Sequence, residues 1–356
     1  MGAGAPPPTI ALDGRGAERG ADVLAAGALA ATRDGIALRV FGDRRALSAL
    51  DGEAGVELLD AVEEITNDDE PVAAVRSREG ASVVLAAADV AAGHSDALVS
   101  AGPTGATMAA ATFALRRIHG VRRPALALQL LVPGRDGPPT LLLDVGANAE
   151  VRAIDLVQFA FLGSAFSRAV LGVDRPRVAL LSVGEEAGKG SSDVIEAHEE
   201  LRRRSAPGAE GQDGRLNFVG NIEGGDLLAG AAEVIVTDGF TGNVTLKTIE
   251  GTARAVADAV GAAARSGPLA MAGGLLLRPA LGSLRERMDP DTTGGAVMLG
   301  LRRVAVVAHG RAGPAGIANA IRLAARSVSE RAVERTADLL ASTGTTRAAL
   351  RDRKDP

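Results

Sequence analysis

Short apolar runs alternate with longer alanine-rich stretches along nearly the whole chain. Each run is almost continuously apolar, which is typical of strands whose two faces are both covered by helices. The pattern predicts strands at residues 9–13, 36–42, 96–102, 125–131, 140–146, 177–184, 233–239 and 303–310. It predicts helices near residues 22–32, 104–118, 154–171, 191–203, 242–264 and 314–341. Such alternation favours a layered α/β fold with a mostly parallel sheet.

The same pattern suggests how the chain is organised. We expect one α/β catalytic domain over residues 9–341, a disordered lead-in at 1–8 and a tail at 342–356. The opening "MGAGAPPPT" has neither a charged region nor an apolar core, so it does not read as a signal peptide. No stretch approaches the roughly 20 uninterrupted apolar residues of a membrane span. These features predict a soluble protein of the cytoplasm.

One segment departs from the alternation. Residues 265–289, "RSGPLAMAGGLLLRPALGSLRERMD", are punctuated by glycine and proline and have an apolar centre bounded by arginines. We expect a helical, apolar protrusion at about residues 252–290. Its apolar face would pack on the core or on a second subunit. Alternatively, it forms an exposed tip that touches a membrane surface or holds a fatty chain.

Composition narrows the function. The chain has no cysteine, which excludes disulfides, cysteine-ligated metals and thiol nucleophiles. Aromatic residues make up 2% of it and the net charge is −5, so binding of nucleic acid is not expected. Two local basic clusters, at residues 116–123 and 202–204, are either solvated surface or docking points for an acidic partner.

Polar, glycine-rich segments follow several predicted strands. In open α/β sheets ligands bind beyond the carboxyl ends of the strands. "SAGPTGA" (100–106) opens a helix whose free N–H groups attract anions, and Thr104 could cap that helix. Similar segments lie at 144–148, 183–190, 219–224 and 237–247. Taken singly, each Asp or Asn there could be a turn former or an N-cap. Together they predict a polar cleft at one edge of the sheet.

Two side chains at these strand ends could hold phosphate. Lys189 lies between two glycines, where it is either simply exposed or a point charge for a phosphate group. His309 follows the last predicted strand, where its ring could hydrogen-bond phosphate. The remaining histidines, His94, His119 and His198, read as structural residues. No pair of histidines has the spacing of metal ligands, so no metal site is expected.

Several motifs occur in a characteristic order, among them "SAG-TGA", "LLLDVGAN", "RVALLSVGEE--KG", "NFVGNIEG", "VTDGFTGNV" and "VAHG". Together they resemble the acyl-acyl carrier protein:phosphate acyltransferases of bacterial phospholipid synthesis, the PlsX family, from about residue 9 to 325. The resemblance implies a three-layer α/β/α Rossmann-like fold related to isocitrate dehydrogenase and phosphotransacetylase. It also implies a homodimer attached loosely to the inner membrane face, with no cofactor.

The family's reaction converts an acyl carrier protein thioester and inorganic phosphate into acyl phosphate, which a membrane acyltransferase passes to glycerol 3-phosphate. Three loops of this chain differ from the usual family pattern. "LDGRGAERG" carries Arg15 and Glu18, "SAGPTGA" carries Pro103 in place of Asn, and "VAHGRAG" carries Arg311 and Ala312 in place of two serines.

The resemblance also suggests roles for the polar residues. Lys189 and the N–H groups of residues 102–106 would stabilise phosphate or the developing charge, with His309 completing the pocket. Asn243 and Asn221 would donate to the carbonyl or phosphate oxygens, oriented by Asp238 and Asp144. The expected catalytic set is Lys189, Asn243, Asp238 and His309; the expected phosphate and substrate set is Asp13, Gly102, Thr104, Gly105, Asp144, Asn148, Asn221, Gly242 and Lys247.

The acidic carrier protein needs a basic docking surface. We expect it at the arginines that bound the apolar segment, namely Arg265, Arg278, Arg285 and Arg287.

Three alternatives remain open at this point. A dehydrogenase of the isocitrate type would need a metal-binding aspartate set and a nicotinamide site, neither of which is evident. A phosphate acetyltransferase-like enzyme would use acyl-coenzyme A with short acyl groups. A degenerate, non-catalytic relative would only bind the carrier protein or a membrane.

Overall fold

Eleven strands build one continuous sheet in the computed structural model, which describes residues 7–132, 134, 137–206, 216–287 and 290–346. In chain order they are β1 (Thr9–Asp13), β2 (Ala37–Gly42), β3 (Val56–Asp60), β4 (Ala97–Ser100), β5 (Ala125–Leu130), β6 (Thr140–Leu143), β7 (Arg177–Leu181), β8 (Asn217–Ile222), β9 (Val234–Val236), β10 (Ala296–Leu299) and β11 (Val304–Val307). Their order across the sheet is β3-β2-β1-β4-β11-β10-β5-β6-β9-β7-β8.

Helices cover both faces of this sheet. They are α1 (Ala21–Thr32), α2 (Pro71–Ser77), α3 (Ser82–Ala92), α4 (Thr104–Leu115), α5 (Ala153–Val170), α6 (Ser192–Ser205), α7 (Gly239–Ala264), α8 (Pro268–Arg287), α9 (Pro290–Thr293), α10 (Pro314–Ser329) and α11 (Ala332–Ser342). Successive strand residues point to opposite faces. Along β1, Ile10 and Leu12 therefore enter one apolar cluster, with α1, α5 and α10, while Ala11 enters a second cluster with α3 and α4. The predicted three-layer α/β/α architecture is confirmed.

The sheet contains two blocks of strands that run in opposite directions. Strands β3, β2, β1, β4 and β11 are mutually parallel, as are β6, β9, β7 and β8. Between the blocks, β10 is antiparallel to β11 and β5, and β5 is antiparallel to β6. The sheet is mostly parallel, as predicted. The carboxyl ends of the two blocks nevertheless lie at opposite edges, so the predicted gathering of all polar strand ends at one edge is wrong.

All eight predicted strands are present, with ends shifted by a few residues. The apolar pattern missed three strands, β3, β8 and β10, and three helices, α2, α3 and α9. The missed strands are short or interrupted by polar and charged residues. The single helix predicted at 314–341 is two helices, α10 and α11, because Arg331 adopts a left-handed conformation between them (φ 53°). The lead-in up to residue 6 and the tail from residue 347 lie outside the described residues.

Three helices, α5, α7 and α8, bear on the predictions about membranes. By length and composition α5 could cross a bilayer, but 89% of it is buried inside the protein, as in a central core helix. Helices α7 and α8 pack against each other, and the second half of α7 together with α8 forms most of the predicted protrusion at 252–290. Large apolar side chains on these two helices are exposed: Val256, Val260, Leu269, Met271, Leu275, Leu276 and Leu277.

Candidate functional site

A cleft of about 470 Å³ opens at the carboxyl edge of the first block of strands. We call it the α4–α7 cleft, because the amino end of α4 forms its floor and the middle of α7 one wall. Its lining residues are Gly16, Glu18, Asn67, Ala101, Gly102, Pro103, Thr104, Lys247, Glu250, Gly251, Arg254, His309, Gly310 and Arg311. Of the predicted site residues, Gly102, Thr104, Lys247 and His309 therefore line one cavity.

Asp13 anchors the floor of this cleft from below. It is the last residue of β1, is 2% exposed, and accepts hydrogen bonds from Ser82 Oγ at 2.5 Å and Ser100 Oγ at 2.7 Å. Ser100 Oγ in turn accepts the Gly102 N–H at 3.0 Å and bonds Thr107 Oγ1 at 2.9 Å. This network ties the first strand to the turn that opens α4. Asp13 therefore positions the cleft floor rather than facing a ligand.

Burial raises the pKa of Asp13 to about 6, against the opposing effect of the hydrogen bonds from the two serines. The folded protein thus holds this proton more tightly than the unfolded chain does. The resulting stabilisation is fully present below about pH 4 and is lost as the pH rises through 6. Relative to Asp13→Asn, we expect the free energy of unfolding of the wild type to fall by about 2–3 kcal/mol from pH 4 to pH 7. Denaturant titrations of both proteins at several pH values measure this; parallel curves would contradict it.

Two glycines let the loops of the cleft meet. Gly16 has a positive φ of 79°, and a Cβ there would lie 2.9 Å from the Gly102 Cα. The N-cap of α4 is Pro103, which supplies no side-chain hydrogen bond, so Thr104 is the first helical residue and not the predicted cap. The first N–H groups of α4 are therefore left for a ligand, and this end of the helix carries partial positive charge. Gly105 faces away from the cleft and packs against Pro71.

His309 follows β11 on the rim beside this floor, where the Ala308 N–H donates to the Ser100 carbonyl at 2.8 Å. The backbone N–H of Arg311 donates to His309 Nδ1 at 3.1 Å. With Nδ1 acting as an acceptor, the neutral ring carries its proton on Nε2, which is then a hydrogen-bond donor. The His309 side chain can thus donate to an anion while uncharged.

Helix α7 supplies cationic side chains to the wall. Lys247 and Arg254 both line the cleft, seven residues apart and hence on one face of the helix. The Lys247 ammonium pairs with Glu250 at 2.9 Å, an exposed contact that an incoming anion can compete with. Arg254 was not in the predicted set, although its i+7 spacing from Lys247 is a signal that could have found it.

The remaining predicted residues gather at the opposite edge, after β6, β9, β7 and β8. Asp144 is fully buried and accepts five hydrogen bonds, from the backbone N–H groups of Leu126, Gly146, Ala147 and Asn148 and from Asn148 Nδ2. Burial raises its pKa, against the effect of these bonds. Asn148 Nδ2 also donates to the Pro124 carbonyl at 2.8 Å. Both side chains are committed to holding this loop, so the expected direct contacts with substrate are not supported.

The first turn of α7 packs directly on that loop. A Cβ on Gly242 would lie 1.9 Å from the backbone carbonyl oxygen of Asp144. A Cβ on Gly239 would lie 2.6 Å from the backbone carbonyl oxygen of Asn148. Asp238 is the N-cap of α7 and accepts the Thr241 N–H at 2.8 Å. Asn243 is exposed next to Gly146. The loop of residues 144–148 therefore determines where α7 begins and in which direction the helix runs.

Lys189 is exposed on a loop after β7 at the same edge. Asn221 braces this loop: its Nδ2 donates to the Glu186 carbonyl at 3.0 Å, and its Oδ1 lies 2.9 Å from His198 Nδ1. Asn221 is buried, and both ends of its amide are used, so it positions the loop instead of donating to a substrate. His198 is structural, as expected.

Helix α7 links the two edges. Asn243 and Lys247 are one turn apart, and the helix rises about 16 Å from Asn243 to Arg254. The predicted residues thus form two groups joined by one helix. Among the described residues no cluster of three or more His, Asp or Glu has the arrangement of a metal site.

The predicted docking arginines lie on or next to α8. Arg265 and Arg278 are exposed, while the side chains of Arg285 and Arg287 lie outside the described residues.

Comparison with known proteins assigns the chain to a family. The model of a family described as "Fatty acid synthesis protein" matches residues 9–349. A phosphate acyltransferase of Thermobifida fusca is 45% identical over 327 residues, covering 90% of this chain and 88% of the relative. Another, of Lacticaseibacillus casei, is 41% identical over 92% of this chain and 94% of its own length. The chain belongs to the phosphate acyltransferase family.

Solved structures place this phosphate acyltransferase family member among phosphotransacetylase folds. A phosphotransacetylase from Streptococcus pyogenes has a TM-score of 0.59 at 16% identity, covering 94% of this chain and 95% of its own. EutD phosphotransacetylase from Staphylococcus aureus has a TM-score of 0.56 at 17% identity, covering 91% and 95%. At these identities the likeness concerns the fold alone. The expected likeness of the fold to that of the phosphotransacetylases is confirmed.

Proposed function

We propose that the protein transfers a fatty acyl group from the thioester of acyl carrier protein to inorganic phosphate, releasing acyl phosphate. The observation that carries the proposal is the α4–α7 cleft in a chain of the phosphate acyltransferase family. Free N–H groups of α4, the Nε2–H of His309 and the cations of Lys247 and Arg254 converge there. Such a set of donors suits a phosphate dianion.

The chemistry needs no acylated side chain, because phosphate itself is the nucleophile. One oxygen of HPO₄²⁻ attacks the thioester carbonyl carbon and forms a tetrahedral oxyanion. Its collapse breaks the C–S bond; the sulfur leaves with the electron pair and takes up the proton that phosphate loses. The products are acyl phosphate and the free thiol of the carrier. The protein has to place phosphate beside the carbonyl and supply donors to the oxyanion.

We assign these tasks to the two groups of residues. Lys247, His309 and the amino end of α4 bind phosphate, with Asp13 and Gly102 positioning that end. Asn243, one turn earlier on α7, and Lys189, on the neighbouring loop, stabilise the oxyanion. Asp238, as the α7 cap, and Gly242, with the Asp144–Asn148 loop, position α7, and Asn221 positions the loop of Lys189. The exposed Asn243 near the start of α7 thus faces the thioester, while the middle of the helix faces phosphate.

The carrier protein is acidic, so the proposed docking surface is basic. Arg265 and Arg278 flank the exposed apolar side chains of α7 and α8, and Arg285 and Arg287 continue the same helix in sequence. An acyl chain leaving the carrier needs apolar cover, which these side chains supply. We further propose a homodimer in the cytoplasm that touches the inner membrane face, where a glycerol-3-phosphate acyltransferase would consume the acyl phosphate.

The test is to incubate the pure protein with palmitoyl-acyl carrier protein and phosphate and to follow free carrier and acyl phosphate. We expect release of carrier that depends on phosphate and yields acyl phosphate in equal amount, with a strongly lowered kcat in Lys189→Ala. Turnover with acetyl-coenzyme A but not with the acyl carrier protein would overturn the choice of substrate. Absence of any phosphate-dependent turnover would favour a non-catalytic binding protein.

A further inference from the structure

The loops after β1 and β11 are joined at the rim of the α4–α7 cleft. The Glu18 N–H donates to the Gly310 carbonyl at 3.1 Å, and a Cβ on Gly310 would lie 2.8 Å from Glu18 Oε1. The Glu18 side chain is therefore seated over the backbone of the other loop. It lies on the rim and is about half exposed.

Glu18 holds the side chain of Arg311 through one bond. Arg311 Nε donates to Glu18 Oε2 at 3.2 Å. Among the described residues no further hydrogen-bond partner of the Arg311 guanidinium is found, so its two terminal amino groups stay available. A guanidinium held at Nε keeps a planar pair of donors with the spacing of two phosphate oxygens. Both Glu18 and Arg311 line the cleft.

Arg311 also acts through its backbone, since its N–H sets the hydrogen-bonding state of His309. One residue thus aims two donors at the same space, its own guanidinium and the Nε2–H of His309. Lys247 and the amino end of α4 line the same cleft. A phosphate bound in this cleft would contact Arg311 on the side that is not occupied by the N–H groups of α4.

We infer that Arg311 is a phosphate-binding residue of this enzyme, oriented by Glu18, and that inorganic phosphate is the ligand it binds. The inference rests on the proposed function, because it takes phosphate to occupy the α4–α7 cleft. It adds a binding arginine at a position where the family pattern commonly has serine. The affinity for phosphate then depends on a bidentate contact from Arg311.

The test compares Arg311→Ala, Arg311→Lys and the control Arg322→Ala in the carrier-release assay. Arg322 on α10 is a suitable control because its Nε pairs with Asp34 at 2.6 Å, a similar surface contact outside the cleft. We expect Arg311→Ala to raise the KM for phosphate about tenfold or more, with kcat and the KM for the carrier within about twofold. Arg311→Lys should recover part of this loss, and Arg322→Ala should match the wild type.

A binding measurement without the carrier separates this inference from the proposed function. Inorganic phosphate alone should raise the Tm of the wild type and of Arg322→Ala, and raise it much less for Arg311→Ala. If the wild type releases carrier only with phosphate but Arg311→Ala keeps a normal KM for phosphate, Arg311 does not bind it. A rise in the KM for the carrier alone would equally overturn the inference. If the wild type shows no phosphate-dependent turnover, the proposed function fails, and the Tm shift still decides whether Arg311 binds phosphate.

Discussion

Replacement of Gly242 by alanine is expected to lower the free energy of unfolding by about 3 kcal/mol or more, because the added methyl group meets backbone. Its Cβ would lie 1.9 Å from the Asp144 carbonyl oxygen, an atom in a loop held by five hydrogen bonds to the Asp144 side chain. Neither the loop nor the first turn of α7 can move without breaking part of that network. Helix α7 would shift, and with it Lys247 and Arg254.

Gly251 on the same helix is the matched control. A Cβ there meets nothing within 4 Å, so Gly251→Ala removes only the flexibility of glycine. We expect Gly251→Ala to raise the free energy of unfolding by roughly 0.5–1 kcal/mol. Thermal and urea unfolding of both variants measure the contrast. Equal stability of the two variants would contradict the close packing of α7 on the 144–148 loop.

Replacement of Lys247 by alanine is expected to reduce kcat/KM for phosphate by about 10- to 100-fold, mainly through a higher KM. The reason is that a hydrogen bond to a charged group contributes about 1.5–3 kcal/mol. Lys247 lines the cleft, and phosphate has to compete there only with Glu250, the exposed ion-pair partner of Lys247. Initial rates of carrier release over a range of phosphate concentrations measure the effect.

Lys189→Ala provides the comparison, since it removes the same charge at the other edge of the sheet. We expect Lys189→Ala to lower kcat with a smaller change in the KM for phosphate, because we assign Lys189 to the oxyanion. The opposite pattern, a raised KM in Lys189→Ala and a normal KM in Lys247→Ala, would move the phosphate site to the loop after β7.

Much of the fold could be predicted from the apolar pattern. Strands buried on both faces, such as β4 and β6, are continuous apolar runs and are found readily. The direction of the strands could not be predicted in this way. Whether β5 and β6 run antiparallel depends on pairing between strands, and no local pattern reports it. Because the strand direction reverses between the two blocks, Lys189 and Asn221 lie at one edge of the sheet and His309 and Gly102 at the other.

The candidate site was predictable only in part, for a similar reason. Glycine and polar residues at strand ends indicated Gly102, Thr104 and His309 correctly as cleft residues. Sequence alone could not distinguish a polar residue that faces a ligand from one that holds a loop. From the motif, Asp144 and Asn148 are predicted to contact a ligand. In the structure their side chains instead form hydrogen bonds with backbone groups of their own loop and of the segment at β5.

The central claim is that phosphate lies between the amino end of α4 and Lys247. Crystals of the wild-type protein grown with arsenate, a phosphate analogue that scatters anomalously, locate the anion directly. We expect one strong anomalous peak within hydrogen-bond distance of the α4 N–H groups and the Lys247 ammonium. A peak at the loop of Lys189, with none in the α4–α7 cleft, would contradict it.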